Sequence, residues 1–144
     1  MIRRVAVLLV AGVLLCACGT VSEAKAMTGW VTHSSFHANA KSLFRDVKTS
    51  ATDLHNMHLS SNDFHTVCQV LFSDDGAMQA ALPTPDAQAT KLLNKAYQEF
   101  AMAAHQCYDA QSSSLARSKA LSGLASGAAV FSEATARVAT ASTS

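Results

Sequence analysis

Between His33 and Val138, apolar side chains recur every three or four positions in four runs, divided by short polar or proline-bearing breaks. That spacing follows the turn of an α-helix and gathers each run's apolar residues on one face. A first helix is predicted from about His33 to His58, with Phe36, Ala40, Leu43, Val47, Ala51 and Leu54 facing inward. A second, from about Asp63 to Ala81, turns Phe64, Val67, Cys68, Leu71, Phe72 and Met78 inward, and Asp74-Asp75-Gly76 is expected to weaken or bend it. A third runs to about Ala110 on Leu93, Ala96, Tyr97, Phe100, Ala104 and Cys107. The fourth carries Leu121, Leu124, Ala128, Phe131, Thr135 and Val138, and Ala139 to Ser144 are expected to fray. Gly123 and Gly127 lower its helix propensity but allow close approach of a neighbour.

The breaks have their own chemistry. Ser60-Ser61-Asn62-Asp63 offers side chains that bond nearby backbone and can cap a helix. In Leu82-Pro83-Thr84-Pro85-Asp86, Pro83 stops one helix, Thr84 is placed to cap the next, Pro85 suits its first position and Asp86 complements its positive end. Gln111-Ser112-Ser113-Ser114 makes the last turn. Short connections between four amphipathic helices predict an all-α fold, an antiparallel four-helix up-down-up-down bundle over residues 33–144.

The amino terminus is different. Arg3 and Arg4 precede an unbroken apolar run from Val5 to Leu15. A basic start followed by about 7–15 apolar residues is the pattern of an export signal. The run is short of the roughly 20 residues needed to span a bilayer. Leu15-Cys16-Ala17-Cys18 resembles the lipobox of bacterial lipoproteins, with Leu at −3, Ala at −1 and Cys18 at +1; Cys16 at −2 departs from the usual Ala, Ser or Thr. The resemblance implies a signal peptide over residues 1–17 that is cleaved, a diacylglycerol thioether on Cys18 and an amide-linked acyl chain such as palmitate. Each buried methylene contributes about 0.8 kcal/mol, so two or three chains hold a protein on a membrane where one is marginal. Gly19 to about Thr32 lacks periodicity and reads, with Cys18, as a flexible tether over 18–32. Trp30, near its end, is placed to cap the bundle.

With Cys16 removed and Cys18 acylated, Cys68 and Cys107 remain as an even pair in an exported chain, and an oxidising compartment makes a disulfide the default. The two lie 39 positions apart, and closing such a loop contributes about 4 kcal/mol in the chain-entropy treatment. Cys68 falls early in the second helix and Cys107 late in the third, which meet at one end of an antiparallel pair.

The net charge of +1 becomes −1 once Arg3 and Arg4 are removed. A near-neutral chain lacks the basic footprint of nucleic-acid binding and the polybasic patch of an electrostatic membrane contact. From about Cys68 to Val138 the chain also resembles small secreted or lipid-anchored helical proteins of mycobacteria and their relatives. Cys68, the Leu82 to Asp86 junction, the amphipathic stretch from Leu92 to Cys107 and the Ala-rich segment from Leu115 carry that likeness. It implies location and fold and brings no catalytic residue.

Six histidines form the one suggestive set for chemistry. His33 and His37 have the i, i+4 spacing of a helix-face metal pair. His58, His65 and His105, with His55 or Asp63, are expected at the bundle end that holds the cysteines, where three imidazoles would suit zinc or copper. Nothing resembles a compact metal motif, so no metal site is named. Gly-x-Ser-x-Gly, a phosphate-binding glycine loop and Cys-x-x-Cys do not occur in the sequence. Asp74-Asp75 reads as solvated surface, since neighbours on a helix point about 100° apart. The expectation is a membrane-anchored protein on the extracytoplasmic face, without enzymatic activity or cofactor, that meets the membrane through its lipid and an envelope protein through its helices. The alternatives are a binding module for a small apolar ligand or lipid, and a histidine-based metal binder.

Overall fold

A computed structural model describes residues 22–56 and 59–144. The expected export signal over residues 1–17, with Cys16, and also Cys18 and His58 lie outside the described residues. Those described are all-helical: α1 (Glu23–His33), α2 (Phe36–His55), α3 (Ser61–Gln79), α4 (Ala87–Asp109) and α5 (Ser114–Ala141).

The first helix corrects the expected tether. Ser22 accepts a hydrogen bond from the Lys25 amide, and Glu23 sits in the first turn, where the helix dipole favours an acid. Met27 is fully buried. Trp30 Nε1 donates to the Ala81 carbonyl at 2.8 Å, and its ring lies 5.1 Å from that of Phe36. Thr28 Oγ1 reaches the Ser142 carbonyl at 3.5 Å. Thus α1 covers the end of the molecule where α2 begins and α3 and α5 finish, and residues 23–33, expected to lie within or border a tether, are helical. Ser34 and Ser35 separate α1 from α2, with Ser35 in the left-handed region at φ 52°.

Helices α2 to α5 pack in chain order, α3 between α2 and α4, and α5 on α4 with a looser flank toward α2. The α2 stripe buries Phe36, Ala40, Leu43, Val47 and Leu54, with Ser50 in the place expected for Ala51. The α4 stripe is as predicted: Leu93, Ala96, Tyr97, Phe100, Ala104 and Cys107 are all buried. Phe131 of α5 is the hub, its ring 5.1 Å from Phe44, 6.0 Å from both Tyr97 and Phe100, and 6.4 Å from Phe36.

Two stripes turn differently from expectation. In α3 the helix is unbroken at Gly76, and its buried face is Phe64, Cys68, Leu71, Asp75 and Met78. Asp75 is buried, and Phe72 stands outside. In α5 the most buried line is Ala116, Ala120, Leu124, Gly127, Phe131, Ala134 and Val138, while Leu121, Ala128 and Thr135 are half-buried. The smallest side chains face α4: a Cβ on Gly127 would fall 2.6 Å from the Phe100 ring, and one on Gly123 3.1 Å from Ala103 Cβ. α5 also does not fray at Ala139, since Ala141 is buried within it.

At the α3–α4 junction Asp86, not Thr84, caps α4, which begins at Ala87 and not at Pro85. Asp86 Oδ1 accepts from the Ala89 amide while the Arg137 guanidinium of α5 grips both carboxylate oxygens. Thr84 donates to the Asp86 carbonyl and meets Thr90 at 2.9 Å, fixing the turn. The Leu82–Pro83 peptide is cis.

Candidate functional site

Cys68 and Cys107 are bonded, with Cα atoms 5.7 Å apart and both side chains buried. The pair joins the first turns of α3 to the last turns of α4, the juxtaposition expected from an antiparallel register. Outside it, two ring pairs bridge the same helices: His65 lies 5.4 Å from Tyr108, and Phe72 lies 5.3 Å from His105 in an edge-to-face contact. Phe72 is 47% and Tyr108 38% exposed. Aromatic surface is thus left partly open on two adjoining helices.

The histidines are thereby dispersed. His65 and His105 pair with different aromatics, two helical turns apart along α3, instead of converging. His33 ends α1 and His37 belongs to α2, so the i, i+4 spacing is interrupted by the Ser34-Ser35 turn. His55 closes α2. Among the described residues, no three His, Cys, Asp or Glu side chains group as a metal site.

An acidic group missed by the sequence reading lies between α2 and α3. Ser42 Oγ is 3.4 Å from Asp46 and 3.3 Å from Asp74, and it accepts from Arg45 at 2.9 Å. The hydrogen bond shared with Asp46 holds the Asp74 carboxyl above its ordinary value. For Asp46, burial pushes upward, but the bonds from Arg45, Asp74 and Ser42 prevail and its carboxyl lies below the usual range. Such a pair shares a proton more readily than it binds a second anion. Next to it, Asp75 is 3% exposed, its Oδ1 without a hydrogen-bond partner. Burial pushes its carboxyl up to about 7. Burial, and the Asp75 charge after it, push the Tyr97 phenol above its ordinary value. The signal was present: 64, 68, 71, 75 and 78 keep the helical interval, and Asp75 stands on it.

Two grooves flank α5. Toward α4, a groove of about 440 Å³ is lined by a mixed set that includes Glu99, Met102, His105, Lys119 and Ser126. Toward α2, one of about 430 Å³ is almost wholly apolar, walled by Phe44, Val47, Ala51, Leu121, Leu124, Ala125 and Ala128 with Lys48 and His55. Leu121 and Ala128, assigned to the core from the sequence, line this opening instead. Among the described residues, no helix is long and apolar enough to cross a membrane. No family model matches the chain, and neither a curated protein nor a solved structure matches it.

Proposed function

We propose that the chain is a lipid-anchored protein of the cell envelope, acting without catalysis as an interaction module. In this reading α2 to α5 form an antiparallel up-down-up-down bundle, α1 covers its anchored end, and the outer face of α3 and α4 binds another envelope protein. The resemblance of Leu15-Cys16-Ala17-Cys18 to a lipobox supports the anchor. Only Gly19, Thr20 and Val21 separate Cys18 from the cap of α1, so an acylated Cys18 would hold α1 within about 14 Å of the membrane. The disulfide and the His65–Tyr108 pair lie toward the other end of α3 and α4, with Phe72 and His105 about one turn nearer α1.

The observation that carries the reading is the open pairing of His65 with Tyr108 and Phe72 with His105 over the buried bridge. Rigid aromatic side chains supply contact area with few rotors to immobilise, and such residues dominate binding energy at protein interfaces. Photo-crosslinking in the producing cells tests it. A photoreactive residue in place of Tyr108 is expected to give a discrete adduct that is lost with Phe72→Ala. The same residue in place of exposed Gln88, at the other end of α4, is expected to give none. The absence of an adduct from position 108, or an equal one from 88, would remove this face as the contact site.

A further inference from the structure

We propose that the groove between α2 and α5 is a binding site for one monoacyl anionic amphiphile, its alkyl chain on Val47, Leu121 and Leu124 and its acidic headgroup at Lys48 and His55. The inference goes beyond the interaction face on α3 and α4 and does not depend on an anchor at Cys18.

Shape comes first. The open groove has a volume of about 430 Å³, within the roughly 300–1,000 Å³ of small-ligand sites. From Phe44 to His55, α2 rises about 16 Å, near the extended length of an alkyl chain of roughly a dozen carbons. At one end the Phe44 ring, part of the wall, leans on Phe131 at 5.1 Å. At the other end the α2 lining finishes at His55, the last residue of that helix.

Charge then selects the headgroup. Among the residues lining the groove, Lys48 and His55 are the ionisable ones, and both are exposed. They stand seven positions apart on α2, two turns along one face. Lys48 can lay its methylenes on the apolar wall and bring its ammonium to the rim. A carboxylate at this rim meets the Lys48 ammonium and the His55 imidazole, whereas a cationic headgroup meets the like charge of Lys48. Leu121, Leu124 and Ala128 recur at three- and four-residue steps opposite Val47 and Ala51, so both walls are apolar over the same length. A single chain fits between them, and a two-chain lipid exceeds the volume.

The test uses the full chain as exported by its producing cells and a diazirine-bearing dodecanoate. Photolabelling is expected within residues 44–55 and 121–128, at one probe per chain. Unlabelled dodecanoate is expected to compete at least about tenfold better than dodecyltrimethylammonium. Ala128→Phe, or Ala125→Phe should the first fail to fold, is expected to cut labelling about tenfold with the melting transition retained. Lys48→Glu with His55→Glu is expected to abolish the preference for the anion. Labelling elsewhere, labelling indifferent to both phenylalanine variants, or equal competition by the cation would overturn the proposal. So would a wild-type dimer that Ala128→Phe converts to monomer, which would put a second copy of the chain in the groove.

Discussion

The two flanks of α5 are one helix built to two standards. Toward α4 it presents Ala120, Gly123, Gly127 and Ala134, and the helices approach until a Cβ at position 127 has no room beside Phe100. Toward α2 it presents Leu121, Leu124 and Ala128, and the helices leave a groove. The contrast shows that alanine and glycine content alone does not decide whether a bundle is tight or open. What decides is where the small residues lie around the helix. On the α4 side they remove the bulk that would keep the axes apart. On the α2 side, Phe44 and Leu121 line the gap without filling it.

The largest expected effect is at the residue both flanks share. Phe131→Ala removes a ring in contact with Phe36, Phe44, Tyr97 and Phe100 and should cost about 3–5 kcal/mol in denaturant unfolding. A cost under about 1 kcal/mol would mean that the flanks are held by something other than this hub.

The next concerns α3, away from either flank. Native Asp75 keeps its proton to about pH 7, whereas an unfolded carboxyl releases it near 4. Between those values the native state binds the extra proton, so stability falls as pH rises through this window and levels off above it. Asp75→Leu should flatten that slope and raise stability at pH 8 by up to about 4 kcal/mol, the worth of about three pH units. Identical stability-versus-pH curves for the two proteins would contradict the buried-acid account.

The smallest effect lies at the α1–α2 turn. Ser35 holds φ 52°, which costs a residue with a Cβ about 1 kcal/mol or more. Ser35→Gly should therefore gain roughly 0.5–1 kcal/mol, measured by the same unfolding, while leaving both flanks of α5 unchanged.

Much of this was legible in the residues. All six residues read for the α4 stripe are buried, although Ala89 and Ala103, small residues on the same face, were not read with them. The meeting of Cys68 with Cys107 followed from placing one early and one late in adjoining helices. Asp75 was lost because Asp-Asp-Gly was weighed as a break by composition, although the interval from Leu71 to Met78 runs through it. In α5, size was read as burial, so Leu121 and Ala128 were turned inward and Gly127 was not. Choosing between the two lines requires knowing which neighbour comes closest, and only the packed partner supplies that. α1 was missed for want of a long stripe; Met27, Trp30 and Val31 at i, i+3 and i+4 were its signal, behind Ser22 as cap. The histidines matched a plausible end of the molecule, but neighbouring aromatics, invisible in spacing, claimed His65 and His105 separately.

The most direct test of the difference between the flanks uses two adjacent positions and one side chain. Gly127→Leu and Ala128→Leu add similar bulk one residue apart on α5, and chemical denaturation compares them. If α5 is sealed on α4 and open on α2, Gly127→Leu loses about 1–3 kcal/mol through overpacking against Phe100. Ala128→Leu then stays within about 0.5 kcal/mol of the parent. Equal losses, or equal tolerance, would contradict the asymmetry on which the groove and its ligand rest.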